Sequence, residues 1–185
     1  MRSSDNGAAT KGAADMEAPK AMRITPALFV TGLEAGDREE ALKLLCERLR
    51  EEGMIKETFY DSLLERESRF PTGLATKGFG VAIPHTHPEH VSSSGIAVGV
   101  LKKPVSFADM MDPEAEVEVS IIFVLALSDA SGHIDVMRTL MGLVKREEAL
   151  RHIQSLTQQQ LFEYFDELFE NLPSRQPFLK RTEGL

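Results

Sequence analysis

Four stretches of the chain place apolar residues at helical spacing, and runs with the alternation or continuity of strands lie around and between them. In the first stretch, Asp37-Arg38-Glu39-Glu40 fits an acidic capping box. Ala41, Leu42, Leu44, Leu45, Cys46 and Leu49 follow, and Gly53 ends the helix. The second, about residues 57–68, turns Phe59, Tyr60, Leu63 and Leu64 inward. Ser131 is expected to cap a third helix over about 133–145, with Ile134, Met137, Leu140, Met141 and Val144 facing the core. Thr157-Gln158-Gln159-Gln160 is a further capping box, opening a helix through Leu161, Phe165, Leu168 and Phe169. Strands are expected within 23–31 and at 81–83, 95–101 and 117–127, with a short one at 105–107. The segment 117–127 begins with alternation (Val117, Val119, Ile121) and then turns fully apolar, as in a central strand covered on both faces. Strands and helices alternate irregularly. The expected fold is therefore α/β, a single domain with a mixed parallel/antiparallel sheet flanked by helices on both faces.

Residues 1–22 are rich in Ala, Gly, Ser, Asp and Lys and lack aromatics, so they read as a disordered tail. Residues 173–185 read as a loose C-terminal tail, which leaves 23–172 for the domain. The net charge is -8. The first 22 residues balance Arg2, Lys11 and Lys20 against Asp5, Asp15 and Glu17, so the acidic surplus belongs to the body. That speaks against nucleic acid as a partner, because backbone binding needs clustered Lys and Arg. No apolar run approaches the roughly 20 residues that span a bilayer, and no signal-peptide stretch opens the chain. Cys46 is the one cysteine, on the apolar face of its helix, and reads as a core residue. A reducing cytoplasm is the expected location, without direct membrane insertion.

The candidate chemistry is concentrated in Gly78-Phe79-Gly80-Val81-Ala82-Ile83-Pro84-His85-Thr86-His87-Pro88-Glu89-His90. Pro84 stops an apolar strand, so His85 stands at a strand's carboxyl end, where α/β proteins build sites. Three readings are open. Surface loops often carry histidines without chemical duty. A metal-dependent hydrolase would use His85, His87 and His90, since H-x-H-x-E-H resembles the ligand motif of metallo-β-lactamase-like enzymes. That reading needs downstream ligands, and His133, His152, Asp129 and Asp135 have no matching motif around them. A nucleophilic histidine needs fewer parts: one accessible imidazole, a group fixing its tautomer, and donors for phosphoryl oxygens. His133 near a helix start and Arg66 near the end of the second helix would supply those donors. Taken alone, Arg66 reads as a solvated residue paired with Glu65 or Glu67, and His133 as an ordinary helix-start residue.

Together the pieces resemble a known family. Leu64-Glu65-Arg66-Glu67, Phe70-Pro71-Thr72-Gly73-Leu74 and the run ending in His85 are similar to the mannitol/fructose-type enzyme IIA domain of the bacterial sugar phosphotransferase system. Lys103-Pro104-Val105-Ser106-Phe107 and Gly132-His133-Ile134-Asp135-Val136-Met137 agree with its later segments. Pro-Thr-Gly-Leu, Ile-Pro-His-Thr and Glu89-His90-Val91 look closest to the galactitol-type branch. The resemblance covers about residues 23–170. It implies that His85 accepts a phosphoryl group from phospho-HPr and passes it to a cysteine of enzyme IIB. It implies that His133 orients or stabilises the phosphorylated ring and that Arg66 neutralises phosphoryl charge. It implies no metal or organic cofactor and no direct sugar binding. A regulatory protein on the same fold, signalling its phosphorylation state to a partner, is the nearest alternative. Two departures stand out: Ala75-Thr76-Lys77 inserts before Gly78, and His87 replaces a smaller or acidic residue. Phe79, Phe107, Met110 and Met111 are candidates for an apolar collar around His85.

Overall fold

The structure is a computed structural model that describes residues 22–128, 130–170 and 172. The expected tails at 1–21 and 173–185, and Asp129, lie outside the described residues. Met22, assigned to the tail by its composition, is buried. Strand β1 (Phe29–Leu33) follows a short 3-10 turn at Pro26–Leu28, so the first strand begins later than the pattern suggests. Helices α1 (Arg38–Glu51) and α2 (Phe59–Arg69) come next, then β2 (Gly73–Ala75), β3 (Gly80–Ala82), β4 (Gly95–Ala108) and β5 (Glu116–Ala126). Helices α3 (Ala130–Val144), α4 (Glu147–Ser155) and α5 (Gln158–Phe169) close the described chain.

The five strands form one mixed sheet in the order β1-β4-β5-β3-β2. β1 runs parallel to β4 and β3 parallel to β5, while the β4–β5 and β2–β3 pairs are antiparallel. Opposite faces carry different helices. Phe29 of β1 meets Phe162 and Phe165 of α5 at ring distances of 5.7 and 5.6 Å, and Phe123 of β5 meets Phe165 at 5.9 Å. The neighbouring Gly99 position looks onto Leu45 of α1 on the other face. Every residue from Ile121 to Leu127 is buried, as expected for a strand covered on both sides.

Local chemistry explains the helix ends. The Asp37 side chain accepts from the Glu40 backbone N–H at 2.9 Å, and Glu40 returns to the Gly36 N–H, one residue earlier than a regular capping box. Gly53 adopts φ 70°, the left-handed stop that favours glycine. At α5 both halves of the Thr157–Gln160 box form. Cys46 is buried as expected, and burial, then Glu47, pushes its thiol up to about 12.

Two expectations change, and two elements were not foreseen. The segments 95–101 and 105–107 are one strand, β4, with a register shift between Val100 and Val105 where Lys102, Lys103 and Pro104 turn to solvent. α3 begins at Ala130, so Ser131 lies inside the helix instead of capping it. α4, too short to give a long periodic signal, has Ala149, Leu150 and Ile153 buried. β2 has only three residues, too few for alternation to register.

Candidate active site

β3 sets the position of His85. Its three residues are buried, and Val81 and Ala82 pair with Ile121 and Ile122 of β5. A Cβ on Gly80 would lie 2.2 Å from the Glu118 carbonyl oxygen, so this close strand approach needs glycine. Beyond the strand, Pro84 accepts at its carbonyl from the Leu125 N–H at 2.9 Å, and His85 bridges to Leu125. The backbone of His85 is therefore fixed against the end of the central strand. Its side chain is half-buried.

The imidazole makes a hydrogen bond that decides its tautomer. His85 Nδ1 lies 2.9 Å from the Ile83 carbonyl oxygen, which can only accept. Nδ1 therefore carries the proton, and the lone pair of the neutral ring sits on Nε2.

α2 stitches itself along the histidine loop. Arg66 Nη1 donates to the His85 carbonyl at 3.5 Å, and its guanidinium lies 5.8 Å from the centre of the exposed Phe70 ring. Ser62 Oγ bonds with the buried Thr86 Oγ1. Further out, Thr58 Oγ1 bonds with His90 Nδ1 at 2.8 Å, and Lys56 Nζ donates to the Glu89 carbonyl at 2.6 Å. His87 is exposed and lines a groove of about 110 Å³ with Ser62, Glu65, Arg66, Arg69 and Phe70.

The three clustered imidazoles thus have separate surroundings. His85 turns to Ile83, His87 to the groove beside α2, and His90 to Thr58 and Glu89. Among the described residues, no three His, Cys, Asp or Glu side chains are placed to share a metal ion. The joint-ligand reading of His85, His87 and His90 does not survive this geometry. His133 lies in the first turn of α3, the helix that leaves β5 just beyond the Leu125 position paired with His85. Its side chain lies outside what the structure describes.

The collar differs from expectation. Phe107 is fully buried in the core, and Phe79 lies half-buried under the Arg151 guanidinium, 5.2 Å from its ring centre. Arg151 is itself paired with Glu147 at 2.7 Å, so α4 covers this ring. Met110 and Met111 are 45% and 82% exposed, and Phe70 joins them at 64%. Met110 N donates to the Gly73 carbonyl at 2.7 Å, which brings this pair of methionines to the start of β2.

Sequence reading missed the clamp formed by Glu67 and Thr72. The Thr72 backbone N–H and Oγ1 donate to the two Glu67 carboxylate oxygens at 2.9 and 2.8 Å. Burial raises the pKa of Glu67, offset in part by those two bonds and by the positive charges of Arg38 and Arg66. The signal was present: Phe59, Leu63 and Glu67 fall at i, i+4 and i+8, so a carboxylate continues an apolar stripe.

A mixed five-stranded sheet thus holds a half-buried, tautomer-fixed histidine at a strand end with an arginine beside it. Comparison with known proteins identifies the family. Residues 23–168 match the family described as phosphoenolpyruvate-dependent sugar phosphotransferase system, EIIA 2, and the chain belongs to it. The galactitol-specific EIIA component of Escherichia coli (strain K12) is 30% identical over 139 residues, covering 75% of this chain and 92% of that protein. Two solved structures share the fold. Enzyme IIAMTL of Escherichia coli, in complex with phosphorylated enzyme IIBMTL, gives a TM-score of 0.62 at 21% identity, covering 80% of this chain and 98% of that one. The nitrogen regulatory protein IIA-Ntr of Neisseria meningitidis gives 0.60 at 22%, covering 77% and 94%. The chain is thus a phosphotransferase-system component of the type-2 IIA class, and no helix among the described residues is long and apolar enough to cross a membrane.

Proposed function

We propose that this protein is the cytoplasmic IIA phosphocarrier of a sugar or polyol transport system and that His85 carries the phosphoryl group. The observation that carries this reading is the bond from His85 Nδ1 to the Ile83 carbonyl. With the proton held on Nδ1, Nε2 is the nucleophile. It attacks the phosphorus of a phosphohistidine on HPr. The new N–P bond forms as the donor's N–P bond breaks, and the donor imidazole keeps that electron pair. Phosphoryl transfer asks little covalent chemistry of the protein, so positioning and charge compensation dominate. Arg66 provides the fixed positive charge, and its contact with the His85 backbone supports that role. His133 provides a second imidazole, and the backbone N–H groups at the start of α3 favour an anion nearby. In the second transfer a thiolate of enzyme IIB attacks phosphorus, and Nε2 of His85 takes back its pair. The exposed Phe70, Met110 and Met111 suit a docking rim that excludes water from the labile N–P bond. Nothing in this relay calls for a metal or an organic cofactor, and the sugar is handled elsewhere.

A transport role is favoured over a regulatory one by the relatives. The galactitol-specific component is related across 92% of its length at 30% identity, whereas the nitrogen regulatory protein is similar in fold. Incubation with phosphoenolpyruvate, enzyme I and HPr tests the proposal. The wild type should take up one acid-labile phosphoryl group, and His85→Ala should take up none. Labelling that persists in His85→Ala overturns the assignment.

A further inference from the structure

A carboxylate occupies a position in α2 where the helical stripe calls for an apolar side chain. Phe59, Leu63 and Glu67 are all buried on the inward face. Glu67 there holds both the backbone N–H and the hydroxyl of Thr72. Thr72 stands one residue before the Gly73–Ala82 pair that opens the β2–β3 ladder, so it faces Ile83. Its carbonyl accepts from the Ile83 N–H at 3.4 Å, and the Ile83 carbonyl accepts from His85 Nδ1 at 2.9 Å. A continuous line of contacts therefore runs from the Glu67 carboxylate, through Thr72 and Ile83, to the imidazole.

Burying an acid there carries a desolvation penalty that an apolar residue would avoid. What the acid supplies is a two-point grip. Two acceptor oxygens on two donors of one residue fix both the backbone N–H and the side-chain rotamer of Thr72, which a single hydrogen bond does not. The bond from Met110 N to the Gly73 carbonyl holds the chain at the next residue. Successive residues on a helix point about 100° apart. One turn of α2 thus aims Arg66 at the His85 backbone and Glu67 at the strand that orients the ring.

We propose that Glu67 is a positioning residue for phosphoryl transfer, setting the depth and tautomer of His85 through Thr72 and Ile83; this rests on the reading of His85 as phosphoryl acceptor. Glu67 does not touch the phosphoryl group. It acts by holding the carbonyl that selects the Nδ1–H ring. When the Thr72 grip slackens, Ile83 moves with its ladder and the ring loses its fixed acceptor.

The test uses full-length wild type, Thr72→Val, Thr72→Ser, Glu67→Gln, His85→Ala and a stability control, Leu161→Ala, in the α5 core. Single-turnover transfer from phospho-HPr and the imidazole ¹⁵N shifts of His85 are measured for each. Thr72→Val keeps the backbone N–H and deletes the hydroxyl. It should slow transfer on the order of ten-fold and mix the tautomers, since misplacement of a reacting group is costly. Thr72→Ser should return to within about two-fold of wild type with a pure Nδ1–H ring, because it restores the second grip point. Glu67→Gln should slow transfer several-fold, and the Thr72 pair decides the matter if that variant does not fold. Wild-type rate and tautomer in Thr72→Val, or equal slowing in Leu161→Ala, would overturn the proposal. The underlying reading is tested separately: labelling that survives in His85→Ala contradicts His85 as acceptor whatever Thr72 does.

Discussion

His90 Nδ1 lies 2.8 Å from Thr58 Oγ1, which ties the far end of the histidine loop to the residue preceding α2. The near end is tied to the same helix through Thr86 and Ser62 and through the His85 carbonyl and Arg66. The loop and the helix bearing the arginine therefore move as one piece. His90→Ala removes one of these ties and should cost about 1 kcal/mol of stability, the net worth of a typical hydrogen bond. Urea denaturation measures the loss. Transfer to His85 should slow less than in an Arg66 variant, because the two nearer ties remain.

Arg66→Ala should slow phosphoryl transfer to His85 by roughly 10²–10³, the usual effect of removing one preorganised charge donor. Arg66→Lys should recover only part of the rate, since an ammonium keeps the charge but loses the planar fork. Rapid-quench transfer from phospho-HPr measures both, and full rescue by lysine would contradict the geometric role.

Glu67 makes stability depend on pH in a definite direction. Burial raises its pKa in the folded protein above the ordinary 4.5, so the folded state holds its proton more tightly than the unfolded one. The resulting stabilisation is complete below the ordinary value and is lost as pH rises through the raised folded value. The Glu67→Gln side chain cannot ionise. The wild type should therefore lose stability relative to Glu67→Gln as pH is raised from 4 toward neutrality. Paired denaturation midpoints across that range measure the difference, and a constant gap would contradict it.

Gly80→Ala should destabilise the protein by about 1–3 kcal/mol, the usual range for overpacking. The added Cβ falls 2.2 Å from the Glu118 carbonyl oxygen, and that backbone belongs to the central strand and cannot yield. Because β3 carries His85, the same variant should also show reduced phosphoryl transfer when assayed below its melting temperature.

Much of this architecture was legible in the residues. Long periodic segments such as α1 and α5 carry caps at their starts and apolar stripes along their length, and both formed where the pattern placed them. Strand β5 announced itself by turning wholly apolar. Elements β2 and α4 were not legible, because three residues of β2 offer no period and no proline stop, and nine of α4 offer barely two turns. The site divides along the same line. His85 was visible from the proline that stops its strand, and its juxtaposition with Arg66 followed from the family resemblance. The Glu67–Thr72 grip was half legible: the carboxylate on an apolar stripe stood out, but its partner five residues on lies past the end of α2, where helical spacing no longer applies. The collar changed at Phe107 for a related reason: Phe107 and Met111 are alike in hydropathy, and only the sheet decides that one is core and the other solvent.

Phosphorylation of His85 at Nε2 is tested most directly by ¹⁵N–³¹P NMR of the ring-labelled protein after treatment with phosphoenolpyruvate, enzyme I and HPr. A single N–P coupling at Nε2 of His85, absent in His85→Ala, is the predicted result. A coupling at Nδ1, or one assigned to His87, His90 or His133, would contradict the account.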